Sequence, residues 1–150
     1  MVSKPKIEII KKEFGTTDKK LEKLGIIAPT PRVVSTRLLD SEFNKLNKLR
    51  YAFYKTKSEI LRNCVKKILK NEPEIKEVIK AGRRIDQMIQ ESDSLNKEEK
   101  RIVTFKLDKK THKKLVKVSN LHEISVSKLI RYFLLLDINP EAMRKGDKEE

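Results

Sequence analysis

Two segments of the chain alternate apolar and polar positions, which is typical of a β-strand with one buried face. They read RVVSTRLLD from Arg32 and RIVTFKLD from Arg101. One face of each segment is apolar or β-branched: Val34, Thr36 and Leu38 in the first, and Val103, Phe105 and Leu107 in the second. The other face carries Val33, Ser35, Arg37, Ile102, Thr104 and Lys106. Because the opposite parity would bury the charge of Arg37 at a high free-energy cost, we predict strands over 33–38 and 102–107 with this second face outward.

Each predicted strand is followed by two segments with the period of an amphipathic helix. In the first helix of each pair the apolar-face positions are Phe43, Leu46, Leu49 and Phe53, and then His112, Leu115, Val118 and Leu121. In the second helix they are Ile60, Leu61, Cys64, Val65, Ile68 and Leu69, and then Leu129, Ile130, Phe133, Leu134 and Ile138. The order of strand, helix and helix therefore occurs twice.

The second helix of each pair begins at an N-cap residue. TKSE at 56–59 is a capping box, in which Thr56 caps the backbone and Glu59 reaches back to the cap. Ser125 is the corresponding N-cap in the second pair, where Lys128 replaces the glutamate. The capping box is therefore incomplete in the second pair.

The two strand–helix–helix segments are related by an internal repeat with an offset of 69 residues and no gap. The identical pairs are Arg32/Arg101, Val34/Val103, Leu38/Leu107, Lys45/Lys114, Leu46/Leu115, Lys48/Lys117, Ser58/Ser127 and Arg62/Arg131. The shared order of elements is the stronger support, because lysine and leucine are abundant here. The expected domains are an N-terminal arm at 1–31, a first repeat at 32–69, a helical linker at 70–100, a second repeat at 101–138 and a flexible tail at 139–150.

A single strand leaves its own backbone hydrogen-bonding groups without partners. Two repeats in one chain supply that partner, and the linker is long enough for an antiparallel return. We therefore predict a mainly α fold with a short two-stranded antiparallel ribbon, in which the two repeats pair within the chain.

Positive charge is concentrated in the two repeats. The 150-residue chain carries a net charge of +14, of which +7 lies in 32–69 and +6 in 101–138, while 70–100 carries −1. Two basic surfaces are expected of a protein that meets an anionic polymer such as nucleic acid. A solvated basic surface, as in lysine-rich thermophile proteins, explains the charge alone equally well.

A strand, a helix, and then a helix that opens with [ST]-x-S-x-x-[IL]-R together resemble the ribbon-helix-helix family of DNA-binding proteins. The residues that carry the resemblance are TKSEILR at 56–62 and SVSKLIR at 125–131. The resemblance extends over roughly 32–69 and 101–138, about half of the chain. Members of that family are usually dimers of chains with one copy, so this chain resembles a tandem form, an intramolecular pseudo-dimer joined by a linker helix. The tandem arrangement and the Lys- and Ile-rich composition are similar to AvtR-type transcription regulators of filamentous viruses of archaea.

The resemblance implies a sequence-specific double-stranded DNA-binding transcription regulator, a repressor or an activator, whose ribbon enters the major groove. The residues that would then read base edges are the outward ones, Val33, Ser35, Arg37, Ile102, Thr104 and Lys106. The residues that would clamp phosphates at the starts of the second helices are Thr56, Lys57, Ser58, Ser125, Val126 and Ser127. Further candidate phosphate contacts are Arg32, Arg101 and Lys128. A ribbon face that is merely solvated, and ordinary helix capping, would use the same residues.

The segment 74–92 predicts an amphipathic linker helix whose apolar face, with Ile75, Val78, Ile79, Ile85, Met88 and Ile89, has to cover another surface. Leu135 and Leu136 stand where the first repeat has lysines. We expect the linker helix, the arm or a neighbouring chain to cover these two leucines. The arm either contacts DNA or packs on the repeats, and the tail from Glu141 is expected to fray.

Other classes of function find little support in the sequence. Cys64 lies on an apolar stripe, and His112 and His122 have no companions at metal-ligand spacing, so we expect no enzyme activity and no cofactor or metal. The absence of a long apolar run and of a signal peptide predicts an intracellular protein with no membrane partner, in the host cytoplasm if the chain is viral. The alternatives left open are a non-specific DNA-coating protein and an antitoxin or scaffold with protein partners. Further self-association on DNA is also left open.

Overall fold

The computed structural model describes residues 31–93 and 97–145. Its elements, in chain order, are strand β1 (Arg32–Leu39), helices α1 (Asp40–Phe53) and α2 (Lys57–Lys70), a 3-10 turn (Glu72–Glu74), helix α3 (Ile75–Glu91), strand β2 (Lys100–Leu107), and helices α4 (Lys109–Leu121), α5 (Val126–Ile138) and α6 (Pro140–Lys145). The fold is mainly helical, with a two-stranded antiparallel sheet. The predicted arm, apart from Pro31, and residues 146–150 of the predicted tail lie outside the described residues.

β1 and β2 pair antiparallel over their whole length, from Arg32 opposite Leu107 to Leu39 opposite Lys100. Over 33–38 and 102–107 the predicted alternation is confirmed, because the inward face is buried and the outward face is exposed. The buried residues of the ribbon's inward face are Val34, Thr36, Leu38, Val103, Phe105 and Leu107. This sheet face covers one side of the core, and the helices pack against it.

The two helices of each repeat are separated by a turn that contains a left-handed residue. Tyr54 ends α1 with φ of 52°, and Glu123 follows α4 with φ of 53°. A positive φ is unfavourable for residues other than glycine. Among the described non-glycine residues only these two adopt it, and they occupy the same position of the 69-residue repeat. The backbone therefore supports the repeat independently of side-chain identity.

α2 and α5 form the centre of the core. Thr56 accepts a hydrogen bond from the Glu59 N–H (3.1 Å) and Ser125 accepts one from the Lys128 N–H (3.2 Å), so both predicted N-caps are confirmed. The Glu59 carboxylate accepts from the Thr56 hydroxyl (3.2 Å), so the return contact is made to the side chain of the cap. The buried stripes are Ile60, Leu61, Cys64, Val65 and Ile68 on α2, and Leu129, Ile130, Phe133 and Leu134 on α5.

The strand of each repeat packs on the second helix of the other repeat. β1 packs on α5, β2 packs on α2, and α2 and α5 pack on each other. All four elements contribute to a single apolar cluster. Each repeat therefore buries its strand against the helix of the other repeat, so the two form one core.

α3 and α6 pack against α5 and against each other. Gly82 lies so close to the Tyr132 ring that a Cβ atom there would overlap the ring carbons, so the glycine allows α3 and α5 to approach. Leu135 is fully buried and Leu136 is half-buried against the core, on a helix that α2, α3 and α6 all contact. The fraying predicted from Glu141 is not found over 141–145, because these residues belong to α6, whose Met143 is buried in the core.

Three residues of the predicted apolar faces are exposed, namely Phe53, Leu121 and Met88. Phe53 and Leu121 are the last residues of α1 and α4, and Met88 lies in the last turn of α3. Periodicity assigns a residue to one face of a helix, but it does not show how far along the axis a neighbouring element extends. In the described ranges no helix is both long and apolar enough to cross a membrane.

Candidate nucleic-acid interface

Within 33–38 and 102–107 the outward face of the ribbon presents six exposed side chains, three from each strand, and Lys100 at the start of β2 is a further exposed residue on the same alternation. The six are Val33, Ser35 and Arg37 on β1, and Ile102, Thr104 and Lys106 on β2. Arg37 lies opposite Ile102, and Lys106 lies opposite Val33, so each end of the row joins one cation to one aliphatic side chain. Ser35 and Thr104 place two hydroxyl groups at the centre. All six predicted base-reading residues are thus brought onto one surface.

The start of α5 is tied to β1 by hydrogen bonds. The Thr36 hydroxyl donates to the Ser127 carbonyl oxygen (2.9 Å), and the Arg37 backbone N–H donates to the Ser127 Oγ (3.2 Å). The Ser127 hydroxyl, predicted as part of a phosphate clamp, is therefore engaged with β1. Its structural effect is to hold the α5 N-terminus beside the outward face.

The start of α2 is brought to β2 by the ring of Phe43. Lys57 Nζ lies 4.7 Å from the ring centre, and the Arg101 guanidinium carbon lies 4.9 Å from it. Cations at this distance are attracted to the electron-rich face of the ring. Arg101 also forms an ion pair with Asp40 (2.6 Å). Because that carboxylate offsets the charge of Arg101, Lys57 is the stronger candidate for a phosphate contact.

The other predicted phosphate residues lie at the two helix starts, apart from Arg32, which begins β1. Arg32, Thr56, Ser125 and Lys128 are exposed, and Ser58 and Val126 are half-buried. The N-terminus of a helix carries backbone N–H groups without intrahelical partners and the positive end of the dipole, so it favours an anion. One such site therefore lies next to β1, and the other is linked to β2 through the Phe43 ring and Arg101.

A groove of about 550 Å³ connects the outward face with the start of α5. Its lining includes Ser35, Arg37 and Ile102 from the ribbon, Ser125, Ser127 and Lys128 from the α5 start, and Asp86 and Gln90 from α3. Predicted base-reading and phosphate-binding residues thus share one continuous concave surface. The presence of α3 in its wall was not predicted.

Arg131 of α5 binds two carboxylates in the interior, a feature that the sequence analysis missed. Its Nε and Nη2 donate to the two carboxylate oxygens of Glu42 (3.0 and 2.8 Å), and its Nη1 donates to Asp86. Arg131 and Glu42 are both buried. Glu42 also accepts from the Leu39 backbone N–H (2.9 Å). One guanidinium therefore joins α1, α3 and α5.

The surroundings of this cluster change two pKa values. Burial opposes the charge of Arg131, but the hydrogen bonds and charges of Glu42 and Asp86 outweigh it and hold the arginine pKa above its ordinary value. Burial also raises the pKa of Tyr132, and the hydrogen bond from its hydroxyl to Asp86 (2.5 Å) raises it further. Both side chains therefore keep their protons at neutral pH.

The first repeat has no copy of this arrangement at the matching position. Arg62 occupies the repeat position of Arg131, yet its side chain is exposed, and its Nε donates to the Ser58 carbonyl oxygen (3.2 Å). The identity of the two arginines was the one signal in the sequence. Glu42 lies 89 residues from Arg131, and no local periodicity connects them.

Cys64, His112 and His122 lie away from the outward face of the ribbon. Cys64 is buried on α2, and burial raises the pKa of its thiol to about 12. His112 on α4 and His122 in the following turn are half-buried. Within 31–93 and 97–145 no cluster of three or more His, Cys, Asp or Glu side chains is placed to hold a metal ion.

Comparisons with protein-family models, with curated proteins and with solved structures returned no match to this chain. A function therefore has to be argued from the geometry of the interface itself.

Proposed function

We propose that this protein is a sequence-specific double-stranded DNA-binding transcription regulator built as a tandem ribbon-helix-helix pseudo-dimer. The observation that carries the proposal is the outward ribbon face, where all six predicted base-reading side chains are exposed in one row on paired strands. Two paired strands lie about 5 Å apart. A major groove about 12 Å wide admits such a ribbon together with its side chains.

The side chains of the row match the groups that the major groove displays. Arg37 can form two hydrogen bonds with a guanine, and Lys106 can contact guanine with less fixed geometry. Ser35 and Thr104 can donate or accept, and Val33 and Ile102 can contact thymine methyl groups. The row therefore supplies both polar and apolar means of telling base pairs apart.

The helix starts supply the contacts that do not depend on base sequence. The α5 start, held at β1 through Ser127, and the α2 start, with Lys57 over Phe43, would each receive a backbone phosphate. The surplus of positive charge in both repeats favours the same partner. Phosphate contacts would place the ribbon, and the ribbon would read the bases.

In vitro selection from random duplex DNA at near-physiological salt, followed by footprinting on the selected site, tests the proposal. We expect a short enriched motif and protection of that motif. Tight, salt-sensitive binding without enrichment would instead favour a non-specific DNA-coating protein. No binding to DNA at all would favour an antitoxin or scaffold that uses the fold for protein partners.

A further inference from the structure

A second groove, of about 570 Å³, lies between α3 and the turn that follows α4. Its α3 wall carries four basic residues, Lys76, Lys80, Arg83 and Arg84, and its other wall includes His122 and Glu123. Four basic residues and one carboxylate give the lining of this groove a surplus of basic side chains. The linker as a whole carries a net charge of −1, so the cations are concentrated on the groove side of α3.

This groove lies next to the start of α5. The turn at 121–123 immediately precedes the Ser125 N-cap. α3 also runs antiparallel to α5, because Gly82 contacts Tyr132, Asp86 contacts Arg131, and Gln90 shares a groove with Ser127. The C-terminal half of α3 therefore points to the α5 N-terminus, which places Arg83, Arg84 and Gln87 at the near end of the basic groove.

We propose that the basic groove binds backbone phosphates of the DNA that flanks the half-site on the α5 side. This inference rests on the proposed function, and it extends the DNA-contacting surface from the ribbon and helix starts to the linker helix. Arg83 and Arg84 are the principal contacts, because a guanidinium binds a phosphate with two parallel hydrogen bonds and keeps its charge at any physiological pH. Gln87 and His122 add hydrogen-bonding side chains beside them.

Binding of flanking phosphates by the basic groove, called here the flank contact, has a consequence that binding by the ribbon alone does not have. DNA beyond the α5-side half-site contributes to affinity without regard to its base sequence, because only phosphates are bound. Each neutralised phosphate contributes about 0.9 to the slope of log affinity against log salt concentration. Two contacts through Arg83 and Arg84 therefore account for about 1.8 of that slope.

The test uses the full chain, a selected site with long flanks, and duplexes shortened stepwise from either end. The variant Arg83→Gln/Arg84→Gln is compared with Lys66→Gln/Lys70→Gln, which removes the same charge from exposed positions of α2. We expect shortening of one flank to weaken wild-type binding and lower the salt slope by about 1.8. The arginine variant should already show the lower slope and be insensitive to that shortening, while the lysine variant should behave like the wild type.

Two results would overturn the inference, and they are distinguishable. An arginine variant that matches the lysine variant in slope and in its response to shortening, on a site the wild type still prefers, refutes the flank contact alone. A wild type that prefers no site refutes the proposed function, and the flank contact with it. Circular dichroism and the thermal midpoint of each variant verify folding, and the single variants Arg83→Gln and Arg84→Gln replace the double variant if it unfolds.

Discussion

Ser35 and Thr104 lie directly opposite each other at the centre of the ribbon, and they occupy the same position of the 69-residue repeat. The antiparallel register therefore places equivalent residues at equal distances from this central pair. The two strands still differ chemically, because β1 presents Val33 and Arg37 where β2 presents Ile102 and Lys106. The positions of the outward residues are therefore related by an approximate two-fold axis, but the residue types at equivalent positions differ.

This pseudo-symmetry predicts that the preferred DNA site is an imperfect palindrome. The variant Ile102→Val/Thr104→Ser/Lys106→Arg makes the two strands identical at their three outward positions. We expect it to bind a perfect palindrome built from the half-site of β1 more tightly than the wild type does, as measured by fluorescence anisotropy on both duplexes. Selection of perfect palindromes by the wild type would contradict intramolecular pairing as the source of recognition.

Lys57 is predicted to contribute affinity without specificity. Its ammonium group lies over Phe43 at the start of α2, where a backbone phosphate would be held. We expect Lys57→Gln to weaken binding to preferred and shuffled duplexes by the same factor and to reduce the salt slope by about 1. Lys66→Gln, near the other end of the same helix, should leave both quantities close to wild type. A larger loss on the preferred duplex than on the shuffled one would place Lys57 among the base-reading residues.

We predict that the buried Arg131 of the second repeat contributes to stability, and that its exposed counterpart Arg62 in the first repeat contributes little. Arg131→Met leaves Glu42 as a buried carboxylate without its partner, which should lower the free energy of unfolding by about 3–5 kcal/mol. Arg62→Met removes the same side chain from an exposed position and should change stability by less than about 0.5 kcal/mol. Urea unfolding followed by circular dichroism measures both. Equal effects would show that the Arg131 cluster is not the stabilising network described above.

The parts of the fold that depend on local pattern could be predicted from the sequence. Alternation around Arg37 assigned both faces of the ribbon, and the hydroxyls of Thr56 and Ser125 marked the starts of α2 and α5. Each of these features depends on residues within about one helical turn or on neighbouring strand positions. The same alternation predicted which six ribbon side chains face outward.

The features that were missed depend on contacts between distant segments. Glu42 and Arg131 meet only because α1 and α5 pack together, and neither residue breaks the helical pattern of its own segment. The helix α6 contacts α3 and α5, and its Met143 is buried in the core cluster. The approach of α3 to α5 depends on Gly82, whose packing against Tyr132 has no signature in periodicity.

Cys64 is predicted to make stability fall at alkaline pH. Burial raises the pKa of its thiol from an ordinary value near 9 to about 12 in the folded chain. The unfolded chain therefore releases this proton first, so the stabilisation is complete below pH 9 and is lost as the pH rises toward 12. Over that range we expect the wild type to lose about 1.4 kcal/mol per pH unit more than Cys64→Ala does.

Urea unfolding of the two proteins at several pH values, with a reductant present, measures this difference. Cys64→Ala leaves a cavity that lowers the free energy of unfolding already at neutral pH. The comparison is therefore between the slopes of unfolding free energy against pH, and not between absolute stabilities. Parallel slopes above pH 9 would show that the thiol is not kept protonated by the fold.

The central claim is that the outward ribbon face reads DNA sequence, and Arg37→Ala tests it most directly. The measurement is the ratio of dissociation constants for a selected duplex and a shuffled duplex, for wild type and variant at the same salt concentration. We predict that the variant loses about 1–3 kcal/mol on the selected duplex and less on the shuffled one, so that the ratio falls. An unchanged ratio, with both duplexes weakened equally, would contradict readout by the ribbon.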